Sequence, residues 1–133
     1  MGAEESKKVV LRMFEVMDKR DIEGILDLLT EDATWWVIGS LPKVSGSHDK
    51  KQFAELLKFM FPAIGEVPKF VIDHMIAEGD YVAVEAHVGG KTPKGDLYEN
   101  KYHFKFEVKG DKLRRVRAYN DTALIKEVIL GQK

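Results

Sequence analysis

The residues best suited to chemistry sit on an alternating run, Tyr98 to Val108. One face of that run carries Tyr98, Asn100, Tyr102, Phe104, Phe106 and Val108; the other carries Glu99, Lys101, His103, Lys105 and Glu107. The first face must be buried and the second largely solvated. Tyr102 and Asn100 therefore point the same way. A phenol and a carboxamide facing one cavity can donate hydrogen bonds to a carbonyl or a developing oxyanion. The plainer reading is a core tyrosine with its hydroxyl at the rim. Glu85 and His87 share a strand face, and a His–carboxylate pair can do general-base work. His103 lies with Lys101 and Lys105, which reads as solvent or a subunit interface. His48 falls in a loop and His74 follows Asp73; no His or carboxylate spacing suits a metal. No Gly-x-Ser-x-Gly, phosphate loop or dinucleotide fingerprint occurs, and Gly89-Gly90 is too short to cradle phosphate. Lys112, Arg114, Arg115 and Arg117 alternate sides, as a solvated face or a dimer contact would.

The elements that must position these groups are legible in outline. Val9, Val10, Met13, Phe14, Val16 and Met17 recur at helical spacing between Glu4 and Lys19. Asp21 reads as the cap of a second short helix with Ile22, Ile25, Leu26, Leu28 and Leu29 inward. Ala33 to Ile38 is a strand, on which Trp35 and Val37 share the inward side. Ser45 to His48 reads as loop. Asp49 caps a third helix from about Lys50 to Phe61, with Phe53, Leu56, Leu57 and Met60 inward and Pro62 as its stop. Lys69–Ala77, Tyr81–Val88, Tyr98–Val108 and Leu113–Tyr119 are strands joined by hairpin-type connections, so the sheet is expected to be antiparallel. A short terminal helix runs from Ala123 to Leu130, with Asp121 as its N-cap. Helices first and sheet after make an α+β domain. A curved sheet wrapped on a few helices leaves a cone-shaped pocket. We expect Trp35, Phe53, Leu57, Tyr102, Phe104 and Ala118 to wall it, with Asn100, Asn120 and Asp121 near its mouth or floor.

Composition bounds the function. The chain has 133 residues and a formal net charge of −1, from 21 basic and 22 acidic side chains. It reads as one domain, 1–133. A near-neutral balance argues against a nucleic-acid partner. With no Cys, disulfides, thiolate metal sites and a Cys nucleophile are excluded. No apolar run is long enough to span a membrane, and the first residues lack a signal peptide's apolar stretch. The Gly2–Ser6 pattern fits myristoylation only loosely. We expect a cytoplasmic protein with no cofactor. Tyr81, Ala83, Val116 and Tyr119 cannot all pack on the concave side, which predicts a homodimer.

The stretch Asp18-x-x-Asp21-x-x-Gly24-Ile25-x-x-Leu28-Leu29-x-x-Asp32-Ala33-Thr34-Trp35 resembles the family containing nuclear transport factor 2, ketosteroid isomerase and the SnoaL-type polyketide cyclases. A second match is His103-Phe-Lys-Phe106, a Gly-Asp-Lys hairpin, Val116-Arg-Ala-Tyr119 and Asp121-Thr122. The resemblance covers nearly the whole chain. It implies a cone-shaped fold of N-terminal helices on a strongly curved antiparallel sheet. It implies acid–base catalysis by Asp121, as in the cyclases. Met13, Val37 and Tyr102 stand where the ketosteroid isomerase tyrosine, base and protonated aspartate belong, so that activity is not implied. Of the epoxide hydrolase Asp–Arg–Asp constellation, only Arg117 and Asp121 find counterparts. The leading expectation is a protein binding a small, largely apolar molecule, as a cofactor-independent isomerase, cyclase or hydrolase. The alternatives are a non-catalytic binder or a protein-interaction module of the same fold. A titratable pair in the cavity favours catalysis; a dry cavity with only Tyr and Asn favours binding.

Overall fold

The computed structural model describes residues 2–132; the first and last residues of the expected 1–133 domain lie outside the described residues. Helix α1 (Ala3–Asp18) buries Val9, Val10, Met13, Phe14 and Met17 as its periodicity requires. Glu4 and Glu5 in its first turn oppose the helix dipole favourably. Arg20 then takes a left-handed backbone (φ 57°) and turns the chain into α2 (Ile22–Asp27), where the Asp21 carboxylate accepts from Gly24 N at 3.0 Å.

Strand β1 (Leu29–Val37) begins earlier than the sequence suggests. The Ser45–His48 loop is corrected: Gly46–Asp49 forms strand β2, paired antiparallel with β1. The tight connection is held by Ser45, whose hydroxyl donates to Ile38 O and accepts from Leu41 N, both at 2.9 Å. Helix α3 (Lys50–Ile64) starts with a full capping box between Asp49 and Gln52. Pro62 does not end it. It sits in the last turn, where its missing N–H costs one helical bond, and the helix ends at Gly65 (φ 79°).

Strands β3 (Lys69–Glu78), β4 (Tyr81–Gly89), β5 (Asn100–Lys109) and β6 (Lys112–Tyr119) follow as a meander. The six strands form one sheet in the order β2-β1-β6-β5-β4-β3. The all-antiparallel expectation needs one correction: β6 returns beside β1 parallel to it, Trp35 opposite Val116 and Val37 opposite Ala118. The other neighbours pair antiparallel. The chain ends in α4 (Thr122–Leu124), which continues as a π-helical turn over Ile125–Ile129.

The concave face and the helices share the core. Phe14 meets Phe70, Phe104 and Phe106 edge-on at 5.2, 5.5 and 5.9 Å, geometry that aromatic pairs prefer. Trp35 stacks on Phe53 at 4.2 Å. Val116 is buried in this core rather than turned outward. A register shift in the β5–β6 pairing lies near its start, so Leu113 and Val116, three residues apart, both face inward. The outer sheet face carries Trp36, Tyr81, His87, His103, Lys105 and Arg117. Arg117 lies over the Trp36 ring at 3.8 Å. No described helix is long and apolar enough to cross a membrane.

Candidate functional site

Between α1, α3 and the concave sheet face lies a cavity enclosing about 750 Å³ of empty space, its open mouth included. Each wall follows from a periodicity. Trp35 and Val37 come from the inward parity of β1, and Tyr102 and Phe104 from that of β5. Ala118 comes from β6, and Phe53, Leu56, Leu57 and Met60 from the apolar stripe of α3. Seven residues expected here border it: Trp35, Phe53, Leu57, Tyr102, Phe104, Ala118 and Asn120. Sequence reasoning missed Met17, Arg20, Val44, Phe61, Pro68, Phe70 and Ile125 among others. Of these, Phe70 and Ile125 had an inward periodicity to reveal them; Arg20 had none.

Asn100 and Asp121 do not border the cavity. Asn100 is buried, its Nδ2 donating to the Tyr98 hydroxyl (3.0 Å) and to Asp121 O (3.2 Å), while its Oδ1 accepts from Asp121 N (2.9 Å). It clamps the end of β6 to the start of β5. The exposed Asp121 carboxylate caps α4, accepting from Ala123 N at 3.0 Å. That contact spends it on helix geometry and leaves no carboxylate on the cavity wall among the described residues.

The polar groups that do face the cavity are few. Tyr102 Oη lies 2.8 Å from Tyr98 Oη. Tyr98 already accepts from Asn100, and it is 1% exposed. Its proton therefore finds its acceptor in Tyr102, since a buried hydroxyl is rarely left unpaired. The Tyr102 proton is then free to meet a molecule in the cavity. Burial, followed by the neighbouring Tyr98, pushes the Tyr102 phenol well above its usual pKa of 10.0, so it acts as a neutral donor. Its ring counts as only half-buried because it borders the cavity. Asn120 has a buried Oδ1 with no hydrogen-bond partner.

The histidines lie elsewhere. His87 Nδ1 is 2.8 Å from Asp73 Oδ2, and His74 is 4.0 Å from Glu85, both on the outer face and between 44% and 69% exposed. The Glu85–His87 pairing expected from strand parity is replaced by these cross-strand pairs. His48 Nε2 is tied to Val44 O at 2.8 Å. Among the described residues no group of three His, Cys, Asp or Glu could hold a metal.

The chain was compared with known proteins. A search among curated proteins gave no match. It is similar to the solved structure of an NTF2-like protein from Burkholderia xenovorans (24% identity, TM-score 0.73, covering 97% of this chain and 98% of that one). It is similar to TerC co-crystallised with polyporic acid (21%, 0.80, 95% and 98%). It is similar, too, to a putative SnoaL-like polyketide cyclase from Jannaschia sp. (15%, 0.79, 98% and 95%). At these identities the likeness shows the fold. The family model described as the SnoaL-like domain matches residues 10–116, a span holding the second half of α1, the whole α3 wall and the strands bearing Trp35 and Tyr102; the chain belongs to the SnoaL-like domain family.

Proposed function

We propose that this protein binds a small, largely apolar molecule in its cone cavity and recognises an oxygen on that molecule through Tyr102. The observation that carries this reading is the hydroxyl chain Asn100–Tyr98–Tyr102, which ends on an otherwise apolar wall. A buried network fixes a donor's direction before the ligand arrives, so little ordering is left to binding. The cavity has the lining of small-molecule sites, mostly apolar with a few placed polar groups. The wall carries no carboxylate and no histidine among its described residues. That favours binding over proton-transfer chemistry, because a general base must lie within hydrogen-bond reach of the proton it takes.

A second reading is a cofactor-independent isomerase, cyclase or hydrolase. It is supported by the free Tyr102 donor, a group suited to an enolate or oxyanion, and by the polyketide cyclase among the similar structures. In that case the substrate would have to bring its own base or acidic proton. The protein acts as a homodimer in either reading. Its outer face exposes Val71, Ile76 and Tyr81, and Tyr81 shares a groove with Trp36 and Arg117, apolar surface that a second copy would cover.

The test is a titration of the Trp36→Phe variant, in which Trp35 is the sole tryptophan, with 1-tetralone as probe. Trp35 emission should change saturably. Adding Tyr102→Phe should weaken binding about two- to tenfold, one hydrogen bond's net worth. Unchanged affinity in the tyrosine variant would remove Tyr102 from recognition. No saturable change in Trp35 would remove the cavity.

A further inference from the structure

Arg20 is the one charged side chain among the described residues that line the cavity. It also borders a shallow outer groove with Phe61 and Glu66, so it stands between the cavity and solvent. Its guanidinium is fixed. Nε donates to Gly65 O at 2.9 Å, one terminal nitrogen to Met17 O at 2.9 Å, and the other to Pro68 O. The ring of Phe61 lies 5.4 Å from its centre. A guanidinium has five N–H donors, so one on each terminal nitrogen is left without a protein partner among the described residues. All three partners it has are neutral carbonyls.

The charge is thus held but not paired. No carboxylate lies within ion-pair distance of Arg20 among the described residues. Asp18 and Glu66 are the carboxylates whose fields reach it, and the Asp18 side chain is engaged by Phe70 N at 3.0 Å. Burial is the largest influence on Arg20 and works against its charged form. A half-buried, unpaired cation is costly unless an anion completes it. A free donor on each terminal nitrogen of a planar fork suits two oxygens of one anionic group.

We infer that the ligand is an apolar acid: a molecule with a hydrophobic body for the α3 wall and a delocalised anionic oxygen pair, as in a carboxylate, met by the free N–H donors of Arg20. This rests on the binding reading above and names the ligand class within it. The acid group sits at the Arg20 end, and the apolar body reaches toward Trp35 and Phe53. Tyr102, whose phenol feels the Arg20 charge, meets either the anion or a second oxygen beside it.

The experiment is calorimetric titration of the full chain with 2-naphthoate and with 2-naphthamide, which differ in charge but hardly in shape. Naphthoate should bind at least about tenfold more tightly, the worth of a charge-assisted hydrogen bond over a neutral one. That preference should shrink as salt is raised and disappear in Arg20→Gln. Equal or tighter binding of the amide overturns the acid class while leaving an apolar-binding cavity standing. Saturable binding of neither compound overturns both. Arg20 also ties three chain segments, so Arg20→Gln risks unfolding. The acid-to-amide ratio and its salt dependence on the unaltered protein decide the matter without it.

Discussion

Asn100 and Asn120 should respond to truncation in opposite ways. Asn100 makes three hydrogen bonds, two through Nδ2 and one through Oδ1, and is 1% exposed. Asn100→Ala orphans the amide of Asp121, takes one of two donors from its carbonyl, which keeps Ile125 N, and takes one partner from Tyr98. An orphaned buried group costs about 1–3 kcal/mol and a lost neutral bond about 0.5–1.5 kcal/mol. The amide of Asp121 is only partly buried, so the low end applies to that orphan, and two neutral bonds are lost besides. The expected loss is about 2–4 kcal/mol, a large part of a small domain's stability. Asn120 is the reverse case. Its Oδ1 is buried without a partner, so the native fold already bears that cost of about 1–3 kcal/mol. Asn120→Ala removes the orphan together with a few packing contacts, and should change stability by less than about 0.5 kcal/mol or raise it. Urea unfolding of both variants, read by circular dichroism at fixed m-value, measures the difference. Equal losses in the two variants, or a loss at Asn100 below about 0.5 kcal/mol, would refute the hydrogen-bond accounting behind the Tyr102 donor.

Asp121→Asn keeps the cap and should leave naphthoate affinity and stability unchanged, whereas Asp121→Ala should cost about 1 kcal/mol; a loss of binding in the Asn variant, seen by calorimetry, would return Asp121 to the site. Tyr98 and Tyr102 both titrate above the ordinary phenol value of 10.0 in the fold, so the unfolded chain gives up those protons first. Their contribution is intact below that value and is lost as pH rises through and beyond it; Tyr102→Phe should flatten the alkaline fall in unfolding free energy, and an unchanged slope would contradict the shift. Sedimentation equilibrium at micromolar concentration should report a dimer, and a species of 15.1 kDa alone would remove the outer-face interface. Conversion of a β,γ-unsaturated ketosteroid, followed by ultraviolet absorbance, should stay at least about a thousandfold below an isomerase rate, since a missing base and a missing donor each cost about a hundredfold or more. Turnover near that rate would show a base the cavity wall lacks.

How much of this was legible depended on period-two and period-3.6 patterns. Trp35, Tyr102 and Phe104 could be placed because strand parity ties each side chain to its neighbours. Phe53 and Leu57 followed from the stripe of α3. β2 escaped because Gly46-Ser-His-Asp49 has weak strand propensity and pairs only through the turn that Ser45 holds. Val116 was misplaced because a register shift breaks the alternation on which the reading relied. The parallel β1–β6 contact joins segments far apart in the chain, which no local pattern encodes. Asp121 belongs to the second half of an ambiguity the residues always carried: a carboxylate before Thr122 is a cap wherever a helix follows. Arg20 gave no signal, since its burial comes from a left-handed turn and three distant carbonyls.

The central claim is that the cone cavity is where this protein holds an apolar ligand. Methyl-labelled protein titrated with 2-naphthoate and followed by carbon–proton correlation spectra tests it most directly. The account predicts saturable shifts at cavity methyls, those of Val37, Leu57, Ile64, Val88 and Ile125, with Val71 and Ile76 on the outer face unmoved. Shifts confined to Val71 and Ile76, or none at any methyl up to millimolar probe, would contradict it.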